Sequence, residues 1–91
     1  MENILIYDFI WNRITEHQHE TFHQKKGGQF TYYINGNTIY FDRTNWFLPR
    51  NDIEEALRRV PLQTTSDVND LQAPSYIYAI LMDERISGKL W

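Results

Sequence analysis

The densest run of side chains able to hold a metal or move a proton is Glu16 to His23, EHQHETFH, with His17, His19 and His23 set among Glu16 and Glu20. On a continuous helix His19 and His23 would stand at i and i+4, the spacing that lets two imidazoles share one metal ion. The order is not HExxH, no cysteine is present to add a thiolate, and a third ligand would have to come from elsewhere in the chain. The run is read as solvated polar side chains at a helix end, and no metal or other cofactor is expected.

Nucleophilic catalysis needs a serine, threonine or cysteine beside an oriented base. The three serines, Ser66, Ser75 and Ser87, sit in capping or tail contexts, and no G-x-S-x-G elbow occurs. The carboxylate pairs Glu54-Glu55 and Asp83-Glu84 are adjacent in sequence, and neighbours on a helix point to different sides, so neither makes an acid/base dyad. Lys25-Lys26-Gly27-Gly28 lacks the Walker spacing, and no G-x-G-x-x-G follows a strand. A core of this size also leaves little room for an enclosed substrate pocket. No catalytic residue is assigned, and the chain is expected not to be an enzyme.

What remains is surface recognition. Tyr33 and Tyr40, with Lys25, Lys26, Arg43 and Arg50 in flanking segments, are residue types favoured where affinity concentrates at protein interfaces. The same types suit stacking on unpaired bases beside phosphate-binding cations. Leu5 and Phe9, four residues apart, form a second apolar pair on the first helix. The expected role is a small interaction or regulatory protein whose partner is another protein or a second copy. A nucleic-acid binder is the alternative, and an inhibitor of the kind phages and other mobile elements encode is a third reading. An open sheet edge or the Leu5/Phe9 pair offers the route to a homodimer.

These residues must be positioned by the elements around them. The pivotal stretch is Phe30 to Phe41, FTYYINGNTIYF, in which Asn35-Gly36 divides two apolar-aromatic runs, a strong β-hairpin signal. With Asn35 and Gly36 at the centre of a type I′ turn, Ile34 and Asn37 flank it, Tyr33 pairs with Thr38, Tyr32 with Ile39, Thr31 with Tyr40 and Phe30 with Phe41. Alternation then puts Phe30, Tyr32, Ile34, Ile39 and Phe41 on one face and Thr31, Tyr33, Thr38 and Tyr40 on the other. The first set is the core face. The second is either open for recognition or covered by a helix in a three-layer arrangement.

Before the hairpin, Ile4, Tyr7, Ile10, Trp11 and Ile14 recur at helical spacing opposite Asp8, Asn12 and Glu16, predicting an amphipathic helix to about His17. Glu16 to Gly28 loses that period and reads as a polar connection. After the hairpin, Trp46 to Leu48 suits a third strand, which Pro49 ends. Asn51 and Glu54 have the form of a capping box opening a helix from Asp52 to about Val60, with Ile53, Ala56, Leu57 and Val60 buried. Ser66 suits the cap of a short helical turn. Pro74 fits a first helical position, and Tyr76 to Met82 reads as a core helix running on through Arg85, with a central strand as the competitor. Ile86, Leu90 and Trp91 form an apolar tail that docks back or offers another contact.

The predicted architecture is a single α+β domain over residues 1–91, in the order α-β-β-β-α-α, with helices packed on a three-stranded antiparallel sheet. Its 91 residues allow one modest core, and 15% aromatic content argues against disorder. Net charge is −3, which neither demands nor excludes nucleic acid. The beginning, MENILIYDFIWNRI, carries Glu2 and Asp8, lacks a basic flank and does not read as a signal peptide. No run is long enough to span a bilayer. No membrane partner and a cytoplasmic location are expected, consistent with the absence of cysteine.

Overall fold

The computed structural model describes the backbone of residues 4–91 and the side chains of residues 6–91. Helix α1 (Ile4–Glu16) leads to a short hairpin, β1 (Phe22–His23) and β2 (Gln29–Phe30). A three-stranded sheet follows, formed by β3 (Tyr32–Asn35), β4 (Thr38–Phe41) and β5 (Phe47–Pro49). Helix α2 (Arg50–Leu57), a 3-10 turn (Thr65–Val68), α3 (Pro74–Leu81) and α4 (Glu84–Ser87) complete the chain. The strands form one antiparallel pair, β1-β2, and one antiparallel sheet in the order β3-β4-β5. A mixed α+β domain with a three-stranded sheet is what the sequence predicts.

The hairpin differs from expectation in its register. Asn35 pairs with Thr38, Ile34 with Ile39, Tyr33 with Tyr40 and Tyr32 with Phe41. The central turn residues are thus Gly36 and Asn37, not Asn35 and Gly36. Gly36 holds φ at 65°, as a two-residue turn with glycine at its first central position requires. Each partner moves by two residues, and because side chains alternate with period two, the predicted face sets survive for Tyr32, Ile34, Ile39 and Phe41 on one side and Tyr33, Thr38 and Tyr40 on the other.

Phe30 does not pair with Phe41. At Thr31 the chain passes between the two sheets, its amide held by Asp42 Oδ1 at 2.8 Å, and Phe30 pairs instead with Phe22. The predicted polar connection therefore contains a strand, with Phe22 wholly buried at its centre.

All four helices contribute buried residues to a core that the inner sheet face joins through Tyr32, Ile39, Phe41 and Leu48. Phe41 stacks on Tyr76 of α3 with ring centroids 4.1 Å apart, and Phe30 meets the same ring edge-on at 4.8 Å. The Tyr32 hydroxyl donates to the Ile14 carbonyl of α1 at 2.6 Å, satisfying a group that would be costly to bury unpaired. Burial pushes the Tyr32 hydroxyl well above its ordinary pKa.

Helix α2 starts without the expected capping box. Pro49 occupies the N-cap position with no side-chain cap bond, and its fixed φ and missing N–H suit the corner between strand and helix. Glu54 instead accepts from Arg50 Nε at 2.9 Å, and the helix ends at Leu57 rather than Val60. The 3-10 turn is capped by Thr64, with Asp67 reciprocating, rather than by Ser66.

Pro74 opens α3 as predicted, and Tyr76 to Leu81 is helix, not strand. The predicted single helix breaks after Met82 because Asp83 caps a new one, accepting the Arg85 amide at 2.9 Å. In the tail Ile86 is buried, Trp91 donates its ring N–H to the Leu81 carbonyl at 3.0 Å, and Leu90 stays exposed. No helix among the described residues is long and apolar enough to cross a membrane.

Candidate recognition surface

Alternation along β3, β4 and β5 puts Tyr33, Tyr40 and Phe47 in one row on the outer sheet face, since Tyr33 pairs with Tyr40 and Tyr40 with Phe47. Tyr33 and Phe47 are each 46% exposed and Tyr40 is half-buried. No described helix covers this face, so the three-layer alternative is not the one the chain adopts. Tyr33 and Tyr40 stack on each other, centroids 5.4 Å apart and planes 20° from parallel. Trp46, 55% exposed, precedes the row at the start of β5. The remaining outward positions, Asn35, Thr38 and Pro49, carry no charge, so the face is aromatic and neutral.

Phe47 escaped the sequence reading, although its signal was present. Once β5 is laid against β4, Leu48 faces inward and its neighbour Phe47 must share the side of Tyr40.

Both sheet edges are managed. Along β3, the His19 amide donates to the Tyr32 carbonyl at 2.9 Å, and Gln18 Oε1 accepts the Ile34 amide at 2.6 Å. Along β5, the Arg50 amide donates inward to Asn37 O. By alternation the residue before it, Pro49, turns its nitrogen outward, where a missing N–H costs the sheet nothing. Blunted edges of this kind resist pairing with another chain, so the expected edge route to a homodimer finds little support.

The other predicted recognition residues are dispersed. Arg43 donates to the Gln29 carbonyl at 2.9 Å and approaches Gln24 Oε1 at 3.4 Å, tying the small hairpin to the end of β4. Lys25 lies over the Tyr78 ring at 5.3 Å, and Lys25 and Lys26 border a cleft with Thr64, Thr65 and Ser75. Phe9 is 48% exposed on α1, with the Arg13 guanidinium 4.3 Å from its ring centre. The Leu5 side chain lies outside the described residues, and with it the Leu5/Phe9 pair.

The histidines do not share a helix. α1 ends at Glu16, His19 takes a positive φ of 69° and His23 belongs to β1, so the i, i+4 geometry is never realised. Among the described residues no group of three or more His, Asp or Glu side chains is arranged to hold a metal ion.

His17 and Glu20 serve a different cluster. Glu20 lies 3.0 Å from His17 Nδ1 and accepts from Arg85 Nη1 at 3.0 Å. Arg85 also grips both Asp83 oxygens at 2.9 Å, donates to the Thr21 carbonyl at 2.9 Å and lies 3.9 Å over the Phe22 ring. Hydrogen bonding with His17 is the largest influence on Glu20 and, together with Arg85, holds its carboxyl below the usual range against partial desolvation. Burial is the largest single influence on Asp83 and raises it, but the bonds from the Arg85 side chain and amide prevail and its carboxyl too is held low. This cluster fastens α4 to the segment after α1, and neither Arg85 nor its partners stood out in the sequence as a unit.

No protein-family model matches the chain, and no curated protein or solved structure matches it either.

Proposed function

We propose that this chain is a small recognition protein that binds a different protein through the outer sheet face, with Tyr33, Tyr40 and Phe47 at the centre of the contact. The observation that carries this reading is a row of three neighbouring rings, Tyr33 and Phe47 exposed and Tyr40 half-buried between them, on a sheet face that no described helix covers. Interface centres are enriched in aromatic side chains and depleted in charge, which is the composition of this face. A partner surface that is itself apolar and neutral fits best. Two copies each carrying −3 gain no electrostatic attraction on a neutral face, which favours a different partner over self-association.

The same composition weighs against nucleic acid. Binding a phosphate backbone draws on cations, whereas Arg43 is engaged with Gln29 and Gln24 and Lys25 and Lys26 border a cleft with Thr64, Thr65 and Ser75. The two tyrosines also spend ring faces on each other that base stacking would need.

The test uses immobilised protein and nuclease-treated extract of the native host, comparing wild type with the double variant Tyr33→Ser, Phe47→Ser. The expected outcome is a defined protein retained by wild type and lost by the variant, whose unfolding midpoint stays close to wild type. Identical retention by both, or retention abolished by nuclease, overturns the proposal. A wild-type dimer in sedimentation that the double variant dissociates replaces the different partner with a second copy.

A further inference from the structure

Away from the aromatic face, a cleft of about 580 Å³ opens between the β1-β2 loop and the segment that carries the 3-10 turn and the start of α3, lined by Gln24, Lys25, Lys26, Thr64, Thr65 and Ser75. Its lining residues include two lysines and no aspartate or glutamate, in a chain with twelve acidic residues against nine basic ones. Five arginines are already committed. Arg13 holds the Ile86 carbonyl, Arg43 holds Gln29, and Arg50, Arg59 and Arg85 are ion-paired. Lys25 and Lys26 form no ion pair among the described residues. Asp67, the acid nearest in sequence to the Thr64–Thr65 wall, is turned onto the amides of Gln63 and Thr64.

The hydroxyls add direction to the charge. Gln24 is fixed as part of the wall, its oxygen near Arg43 at 3.4 Å and its Nε2 donating to Ser75 Oγ at 3.0 Å. Thr64 Oγ1 accepts the Ser66 amide at 3.1 Å. Both oxygens are engaged as acceptors, which leaves their own protons to donate. Lys25 and Lys26 both border this space, and an ammonium group carries donors only; Lys25 Nζ reaches the Gln63 carbonyl at 3.5 Å beside the Tyr78 ring. A cleft rich in donors, positive and without carboxylates selects a ligand that accepts hydrogen bonds and carries negative charge.

We propose that this cleft binds a small phosphoryl-bearing anion, with Lys25 and Lys26 supplying charge and the Ser75 and Thr64 hydroxyls supplying directed donors. The proposal is independent of the aromatic face and deals with a small molecule rather than a protein partner. The three segments are separated by about forty and ten residues of chain, so only the fold assembles the site.

The test is a titration of isotopically labelled full-length protein with inorganic phosphate, pyrophosphate and a nucleoside monophosphate at fixed ionic strength, followed by amide NMR. The expected result is saturable one-to-one displacement of the Lys26, Thr65 and Ser75 amides by at least one probe. The double variant Lys25→Ala, Lys26→Ala should weaken it by about tenfold or more, and Ser75→Ala by less. Which probe binds tightest identifies whether phosphate alone or a larger molecule fills the volume. Displacement that fails to saturate with any probe, or an unchanged isotherm in the double variant, overturns the proposal. The lysines are exposed, so the double variant should fold, and an unshifted spectrum away from the cleft verifies it.

Discussion

Tyr32 and Tyr33 are neighbours on one strand and meet opposite fates. Tyr32 is 1% exposed, its ring 5.3 Å from that of Phe22 and its hydroxyl committed to α1. Tyr33 is 46% exposed and touches aromatic surface chiefly through Tyr40. The two faces of the sheet carry similar residue types, and what separates them is cover. The inner face joins the core to which all the described helices contribute, because the amphipathic stripes of α1 and α2 and the nearly all-apolar α3 must be buried together. The outer face carries three rings that no described helix covers, which is why recognition is the reading it invites.

That contrast can be broken by mutation. The largest effect should come from Tyr32→Ala, which removes a buried ring and its hydrogen bond and should cost about 3–5 kcal/mol, while Tyr33→Ala in the same assay should cost less than about 1 kcal/mol. Urea denaturation of the pair is decisive, and equal losses would mean that the outer face is structural after all. Next in size is Arg85→Ala. It frees Asp83 and Glu20 and uncovers Phe22 at the rim of the inner side, for an expected loss of about 1–2 kcal/mol, kept modest because the guanidinium is partly exposed.

The same cluster predicts a pH dependence. Asp83 and Glu20 are held below their unfolded values. Their contribution is therefore fully present above the ordinary carboxylate range, about pH 4, and is lost as pH falls through the lowered folded values. Unfolding midpoints measured downward from pH 7 should fall in that window, with a shallower acid limb in Arg85→Ala than in wild type. An acid limb unchanged by that substitution would remove the cluster from the account. Tyr32→Phe is smaller again, about 1 kcal/mol, since it keeps the ring and takes away only the donor to Ile14. At the small end, the double variant Tyr33→Ser, Phe47→Ser should move the midpoint little while abolishing partner capture.

Much of the frame was legible from local pattern. The α1 stripe through Ile10, Trp11 and Ile14, the third strand at Phe47 and Leu48, and Pro74 at the head of α3 all follow from periods and backbone rules that act over a few residues. The exact hairpin pairing was not legible, because Asn35-Gly36 and Gly36-Asn37 both suit a two-residue turn and only the surrounding strands choose between them. The strand at Phe22 was hidden for a related reason. A two-residue strand has no period to detect, and Phe22 is held by partners at Phe30, Tyr32 and Arg85.

The sequence by itself determined which side chains of each strand travel together, because the period of two survives a two-residue change of register. It also determined that α3 begins at Pro74 and that α1 turns Ile10, Trp11 and Ile14 into the core. Only the tertiary structure decided which sheet face is covered, which partners each arginine takes, and that Lys25, Lys26, Thr64 and Ser75 meet around one cleft. Those outcomes depend on how distant segments compete for the same apolar surface and the same polar groups, and that competition leaves no mark in the spacing of neighbouring residues.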